Sequence, residues 1–235
     1  MKKYFNLLFL FFVLFASILS SGRSVKVMNQ IFNNNPEEKK DSIVIVIDPG
    51  HGGRDPGKVG INNTLEKDIN LSISLKLKNL LEMNDIKVVM TRSEDVGLYS
   101  EGVSNKKRAD MLARVDTIKN ANADLAISIH QNSFPEEYVK GAQVFYHVQS
   151  EKGKLLAEIL QDQIVKTIAD KNHRQAKSND NYYMLKNTQC PLVIVECGYL
   201  TNYREASLLL DENYQERMAY AIHLGIMRFI NEVGI

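Results

Sequence analysis

The spacing of apolar residues changes several times along the chain, and the changes divide it. Tyr4 to Leu19 is almost wholly apolar, interrupted only by Asn6 and Ser17, and follows Lys2 and Lys3. A charged start before an apolar run of about 16 residues reads as a secretory signal or an N-terminal membrane anchor over residues 1–22. Both readings stay open: Ser20 and Gly22 are small enough for cleavage, and the run is just short of a full span. Residues 23–42 are polar, Asn-rich and aperiodic, and read as a tether. A domain over 43–235 then opens on Ile43-Val44-Ile45-Val46-Ile47, a β-branched run suited to a strand buried on both faces. Further strands are expected at Ile86–Met90, Asp124–His130, Ala142–Val148, Tyr182–Leu185 and Leu192–Cys197. Helical stripes alternate with them at Glu66–Met83, Asn105–Asn120, Ser150–Asp170 and Asn213–Asn231. In the first helix Ile69, Leu71, Ile73, Leu75 and Leu77 alternate as a strand would. Its length and the stripe Ile69, Ile73, Leu77 and Leu80 favour a helix. In the second, Met111, Leu112, Val115 and Ile118 are the expected inner face. The alternation predicts a single α/β domain with a central, mostly parallel twisted sheet flanked by helices.

Composition narrows the class. With 235 residues, 44% hydrophobic and 24% charged, the chain is neither disordered nor a multi-span membrane protein. The net charge is +1, and removing Lys2 and Lys3 brings it to −1, so no global field draws the chain to nucleic acid. Export places the domain outside the cytoplasmic membrane, secreted or anchored, with membrane contact at the N-terminus if the signal is uncleaved. Two cysteines cannot make a disulfide framework, and Cys190 and Cys197 are read as two buried thiols.

In open α/β sheets chemistry gathers at the carboxyl ends of the strands. The first strand runs into Asp48-Pro49-Gly50-His51-Gly52-Gly53-Arg54-Asp55, the third ends at His130, the sixth reaches Glu196, and the first helix starts at Glu66. His51, Glu66 and His130 make a two-histidine, one-carboxylate set, the donor set of a catalytic zinc that keeps one position open. They are separated by 14 and 63 residues, so the argument rests on topology and not on a short motif. Glu66 shares a helix face with Ile69 and Ile73, which points it at the sheet. Glu196 suits a general base beside such a metal.

Each residue also has a plainer reading. A loop histidine can be merely packed, His130 can be a satisfied core histidine, and Glu66 can complement a helix dipole. A lone carboxylate inside Val-Ile-Val-Glu-Cys is harder to explain that way, because burying it without a partner is costly. The Pro-Gly-His-Gly-Gly loop lacks the spacing of a phosphate cradle, and no Gly-x-Ser-x-Gly elbow is present. Cys197 has no histidine obviously paired with it as a nucleophile would need. His147, His173 and His223 are read as structural or surface residues.

The segments IVIDPGHGGRDPGKVG, LEKDINL, VVMTR, ISIHQNS, GAQVFYHV and CPLVIVECGYLTN, in that order, resemble the type 3 family of zinc-dependent N-acetylmuramoyl-L-alanine amidases. The resemblance spans about residues 43 to 231. The short single-domain form behind an N-terminal signal is most similar to the spore-cortex, germination-specific members. It implies that His51, Glu66 and His130 ligate Zn2+ and that Glu196 is catalytic. It implies hydrolysis of the amide between the lactyl group of N-acetylmuramic acid and L-alanine in peptidoglycan, freeing stem peptides from glycan. Asp48 is then a candidate to orient a ligand histidine, and Asn132 and Arg92 to hold the stem peptide. No wall-binding repeats accompany the domain, so an activating protein partner outside the membrane is expected. Two other readings remain: a zinc peptidase acting within stem peptides, and a catalytically silent wall-binding module.

Overall fold

Alternation of buried apolar runs with amphipathic stripes produces three layers, helices on both faces of one sheet. The structure, a computed structural model, describes residues 42–168 and 171–235. The expected signal or anchor and all of the tether but Ser42 lie outside the described residues. The elements are β1 (Val44–Pro49), α1 (Glu66–Glu82), β2 (Lys87–Met90), α2 (Lys106–Asn120), β3 (Leu125–Asn132) and β4 (Gln143–Tyr146). They continue with α3 (Glu151–Ile168), β5 (Lys177–Ser178), α4 (Tyr183–Asn187), β6 (Leu192–Tyr199), α5 (Tyr203–Leu208) and α6 (Glu212–Val233). Six strands lie in the order β2-β1-β3-β6-β4-β5. β2, β1, β3 and β6 run parallel, whereas β4 is antiparallel to β6. The mostly parallel α/β sheet read from the sequence is therefore present.

Burial follows from these pairings. β1 is buried from Ile45 onward and β6 throughout, as central strands covered on both faces must be. Ile73, Leu77 and Leu81 of α1 are fully buried with Leu156 and Leu160 of α3 and Ile222 and Ile226 of α6. Each such side chain contributes about 1.5–3 kcal/mol. A second core, with Val46, Ala126, Ile194, Met184 and Leu185, fills the other face. There α2 buries Ile118 and the head of Arg114, while Leu112, expected inside, is 39% exposed. The helix turns Arg114 inward because the strand ends beneath it carry a buried carboxylate. Among the described residues no helix is long and apolar enough to cross a membrane.

One expected strand is a helix. The strand expected at Tyr182–Leu185 is absent, and Tyr183–Asn187 forms α4. The Asn179 side chain accepts from the backbone N–H of Asn181 and Tyr182, which turns the chain at the helix start. Met184 and Leu185 still reach the core from one helical face. The strand of this region is instead β5, Lys177–Ser178, two exposed polar residues paired with β4.

Candidate active site

The topology brings distant residues together at one point. β1 turns toward β2 on one side and β3 on the other, so a crevice opens at the carboxyl ends of β1 and β3. His51 leaves β1, His130 ends β3, and Glu196 stands opposite His130 in the β3–β6 register. Glu66, the first residue of α1, lies between the two histidines. Its Oε2 is 3.3 Å from His51 Nε2 and its Oε1 is 3.0 Å from His130 Nδ1. Among the described residues these three form a group able to hold a metal ion, with one ligand atom each lying within 4.8 Å of one another.

The surroundings hold this group in place. Glu66 is 3% exposed. It accepts from the backbone N–H of Lys58 and Gln131 and from Asn70 Nδ2. Gly50 passes so close over the His130 ring that an added Cβ would sit 2.2 Å from it. A side chain at position 50 would therefore displace the imidazole. His51 takes a left-handed backbone conformation, with φ of 62°, in the loop that turns its ring toward Glu66. Asp55 Oδ2 lies 2.8 Å from His51 Nδ1. A carboxylate on the far nitrogen orients an imidazole and raises its basicity toward a cation. Burial opposes charging His51, but the hydrogen bonds and charges of Glu66 and Asp55 prevail and hold it up at about 9. Burial would raise Glu66, yet the two histidines hold it far below the usual carboxylate range. A site that favours positive charge this strongly, built of two imidazoles and a carboxylate, fits a divalent zinc-type cation.

Glu196 differs from every neighbouring carboxylate. It is 7% exposed, and its Oε2 is buried with no hydrogen-bond partner. Burial raises it to about 7, with the Glu66 charge adding and the two histidines opposing. It faces a pocket of about 360 Å³ together with His51 and His130. Tyr182, Met111, Met184 and Ile194 supply much of the apolar wall. Burial first, and then Glu196, raise the Tyr182 phenol to about 12, so it stays neutral. A carboxyl poised near neutrality can take and return a proton, which its ionised neighbours do poorly.

Three expectations need correction. Asp48 touches neither histidine. It is 1% exposed and binds Arg114 Nη1 at 2.6 Å, with Ser128 and Thr91 donating their hydroxyls. The Arg114 charge and these hydroxyls overcome burial and lower Asp48 to about 2. Arg114 in turn donates to the carbonyls of Pro49 and His51, so Asp48 supports the histidine loop from beneath. Arg92 does not line the pocket: its guanidinium donates to the carbonyls of Pro49, Gly50, Lys67 and Glu94. Asn132 does not line it either, and its side chain accepts from the Ser133 N–H. Asp55 was missed, although it stands four residues after His51 in the same loop. Arg114 was missed because nothing in a polar helix face marks an arginine as buried. Both cysteines are free thiols, Cys197 buried and Cys190 half-buried.

The fold recurs in known proteins. Solved structures that share the fold include the CwlD amidase of Clostridioides difficile, in complex with the GerS lipoprotein. It has a TM-score of 0.79 and 38% identity, over 81% of this chain and 99% of that one. The catalytic domain of CwlV, an amidase from Bacillus (Paenibacillus) polymyxa, has a TM-score of 0.71 and 30% identity, over 80% and 98%. The germination-specific N-acetylmuramoyl-L-alanine amidase of Bacillus subtilis is 36% identical over 211 residues, 86% of this chain and 88% of that protein. Residues 45–228, nearly the whole described domain, match one enzyme family from β1 to α6. The chain belongs to the N-acetylmuramoyl-L-alanine amidases.

Proposed function

We propose that the chain, exported past the membrane behind residues 1–22 and a tether over 23–42, is a zinc amidase of spore-cortex peptidoglycan. His51, Glu66 and His130 hold the metal, and Asp55 fixes the His51 ring. Zinc, when bound, lowers the pKa of a water molecule and polarises an amide carbonyl. Glu196 removes the proton as water attacks the lactyl carbonyl, then returns it to the alanine nitrogen as the amide breaks. Water becomes the hydroxyl of the lactyl acid, and the stem peptide leaves with a free amine. The pocket's apolar wall keeps bulk water from competing for the Glu196 proton.

The observation that carries this reading is the unpartnered Oε2 of Glu196, beside two histidines and a carboxylate that share one small volume. A buried carboxyl without a partner costs stability, and a binding module has no use for it. Similarity to the germination-specific amidase supports the cortex as substrate, and the lipoprotein bound by the C. difficile protein supports a protein partner in the envelope. Zinc-loaded protein incubated with cortex peptidoglycan should leave glycan strands that lack stem peptides, read by mass spectrometry of the products. Cuts within the stem instead would make it a peptidase. Zinc-loaded protein with no products would make it a binding module.

A further inference from the structure

Most charges of the pocket are already matched. Arg114 serves Asp48 and Asp110. His51 serves Asp55 and Glu66, and His130 serves Glu66. Glu196 remains inside, for the reaction. Three cations remain on the pocket lining: Arg54 in the loop after β1, and Lys106 and Lys107 in the first turn of α2. None of the three forms an ion pair among the described residues. The Lys106 Nζ lies over the Tyr99 ring, 5.6 Å from its centroid, a cation–π contact that holds the ammonium at the pocket without giving it an anionic partner. Lys107 acts electrostatically on Asp55, so it lies near the His51 end of the pocket.

Their placement runs against helix stability. α2 has no acidic residue in its first turn, where the dipole favours one, and carries lysines there instead. We propose that Arg54, Lys106 and Lys107 form a carboxylate subsite that grips the stem peptide just beyond the scissile amide. This rests on the amidase reading above. In a stem whose second residue is glutamate joined through its side-chain carboxyl, the α-carboxylate is free one residue past L-alanine. At about 3.3–3.6 Å per residue, that anion lies roughly 7 Å beyond the bond that is cut. The subsite makes the enzyme read the charge of the second residue, so amidation of that carboxyl weakens binding and slows cleavage at low substrate.

The test uses zinc-loaded protein and two disaccharide-peptide substrates that differ only in whether the second residue carries a free or an amidated α-carboxyl. Wild type should favour the free acid by on the order of tenfold in kcat/KM, mostly through KM, the scale of one charge-assisted hydrogen bond. The double variant Lys106→Gln, Lys107→Gln should keep its zinc and lose the preference, its kcat/KM falling on the free acid much more than on the amidated substrate. Lys106→Arg with Lys107→Arg should restore it. If the double variant does not fold, Arg54→Gln, at an exposed loop position, should reduce the preference in the same assay. Equal kcat/KM on the two substrates, or a preference that survives in the variants, overturns the subsite and leaves the amidase reading intact. A wild type that cuts neither substrate at the lactyl amide refutes the amidase reading and the subsite with it.

Discussion

Replacing Arg114 by Met should unfold the loop support from below, and its size can be worked out. The arginine side chain is 3% exposed and gives up four hydrogen bonds: to Asp48, Asp110, and the carbonyls of Pro49 and His51. Methionine fills the space with a flexible apolar stem but leaves Asp48, 1% exposed, with only two hydroxyl donors. Removing one partner of a buried pair costs about 3–5 kcal/mol. For a domain of this size each kcal/mol lowers Tm by about 2–4 °C, so the loss should be about 6–20 °C at pH 7. The pH dependence carries a second check. Asp48 falls from 3.8 to about 2 on folding, with burial opposing and Arg114 prevailing. It therefore contributes about 2.5 kcal/mol above pH 3.8, which is lost as pH drops through 2. In the variant the buried carboxyl has no cation, its folded pKa rises above the unfolded value, and protonation relieves the penalty. The gap in Tm between the two proteins should therefore narrow from pH 7 to pH 4. Circular dichroism melts of both proteins in chelator provide the measurement. A Tm loss under about 3 °C at pH 7, or a gap that widens on acidification, would refute the argument.

Glu196→Gln should give a folded, zinc-loaded protein with activity on peptidoglycan reduced about 10²–10⁴-fold; loss of the metal as well would make Glu196 a ligand. Asp55→Asn should weaken zinc binding by about 10–100-fold in competition with a chelator, and an unchanged affinity would show that His51 needs no orienting partner. His51→Ala and His130→Ala should each abolish zinc retention measured by elemental analysis, and retention near one zinc per chain would rule the residue out as a ligand. Protease added to cells stripped of their wall should digest the domain, whereas full protection would refute export.

The long apolar runs were readable because central strands of a parallel sheet carry their burial in their own composition, as Ile45–Ile47 and Leu192–Val195 do. Glu66 was readable from its helical face, shared with Ile69 and Ile73. The elements at the sheet's far end were not. Lys177 and Ser178 pair with β4 through backbone alone and leave no mark in hydropathy. Tyr182–Leu185 has the composition of a strand, but the Asn179 side chain, accepting two N–H groups, turns the chain into α4, whose one face buries Met184 and Leu185. The supporting arginines were unreadable for another reason. Arg92 and Arg114 each place two hydrogen bonds on carbonyls between Pro49 and His51, and a carbonyl has no sequence signature.

The two ends of the sheet are blunt. One edge strand, β2, has four residues and begins with the exposed Lys87, and the other, β5, is two residues long and begins with the exposed Lys177. Short rims with lysine discourage a foreign chain from adding a strand there. Rims this short leave little room for the commonest route by which loose extended chain attaches to a sheet. A protein that assembles with this domain is left chiefly the side chains of its helices and loops to recognise, a surface separate from the strands that set the site.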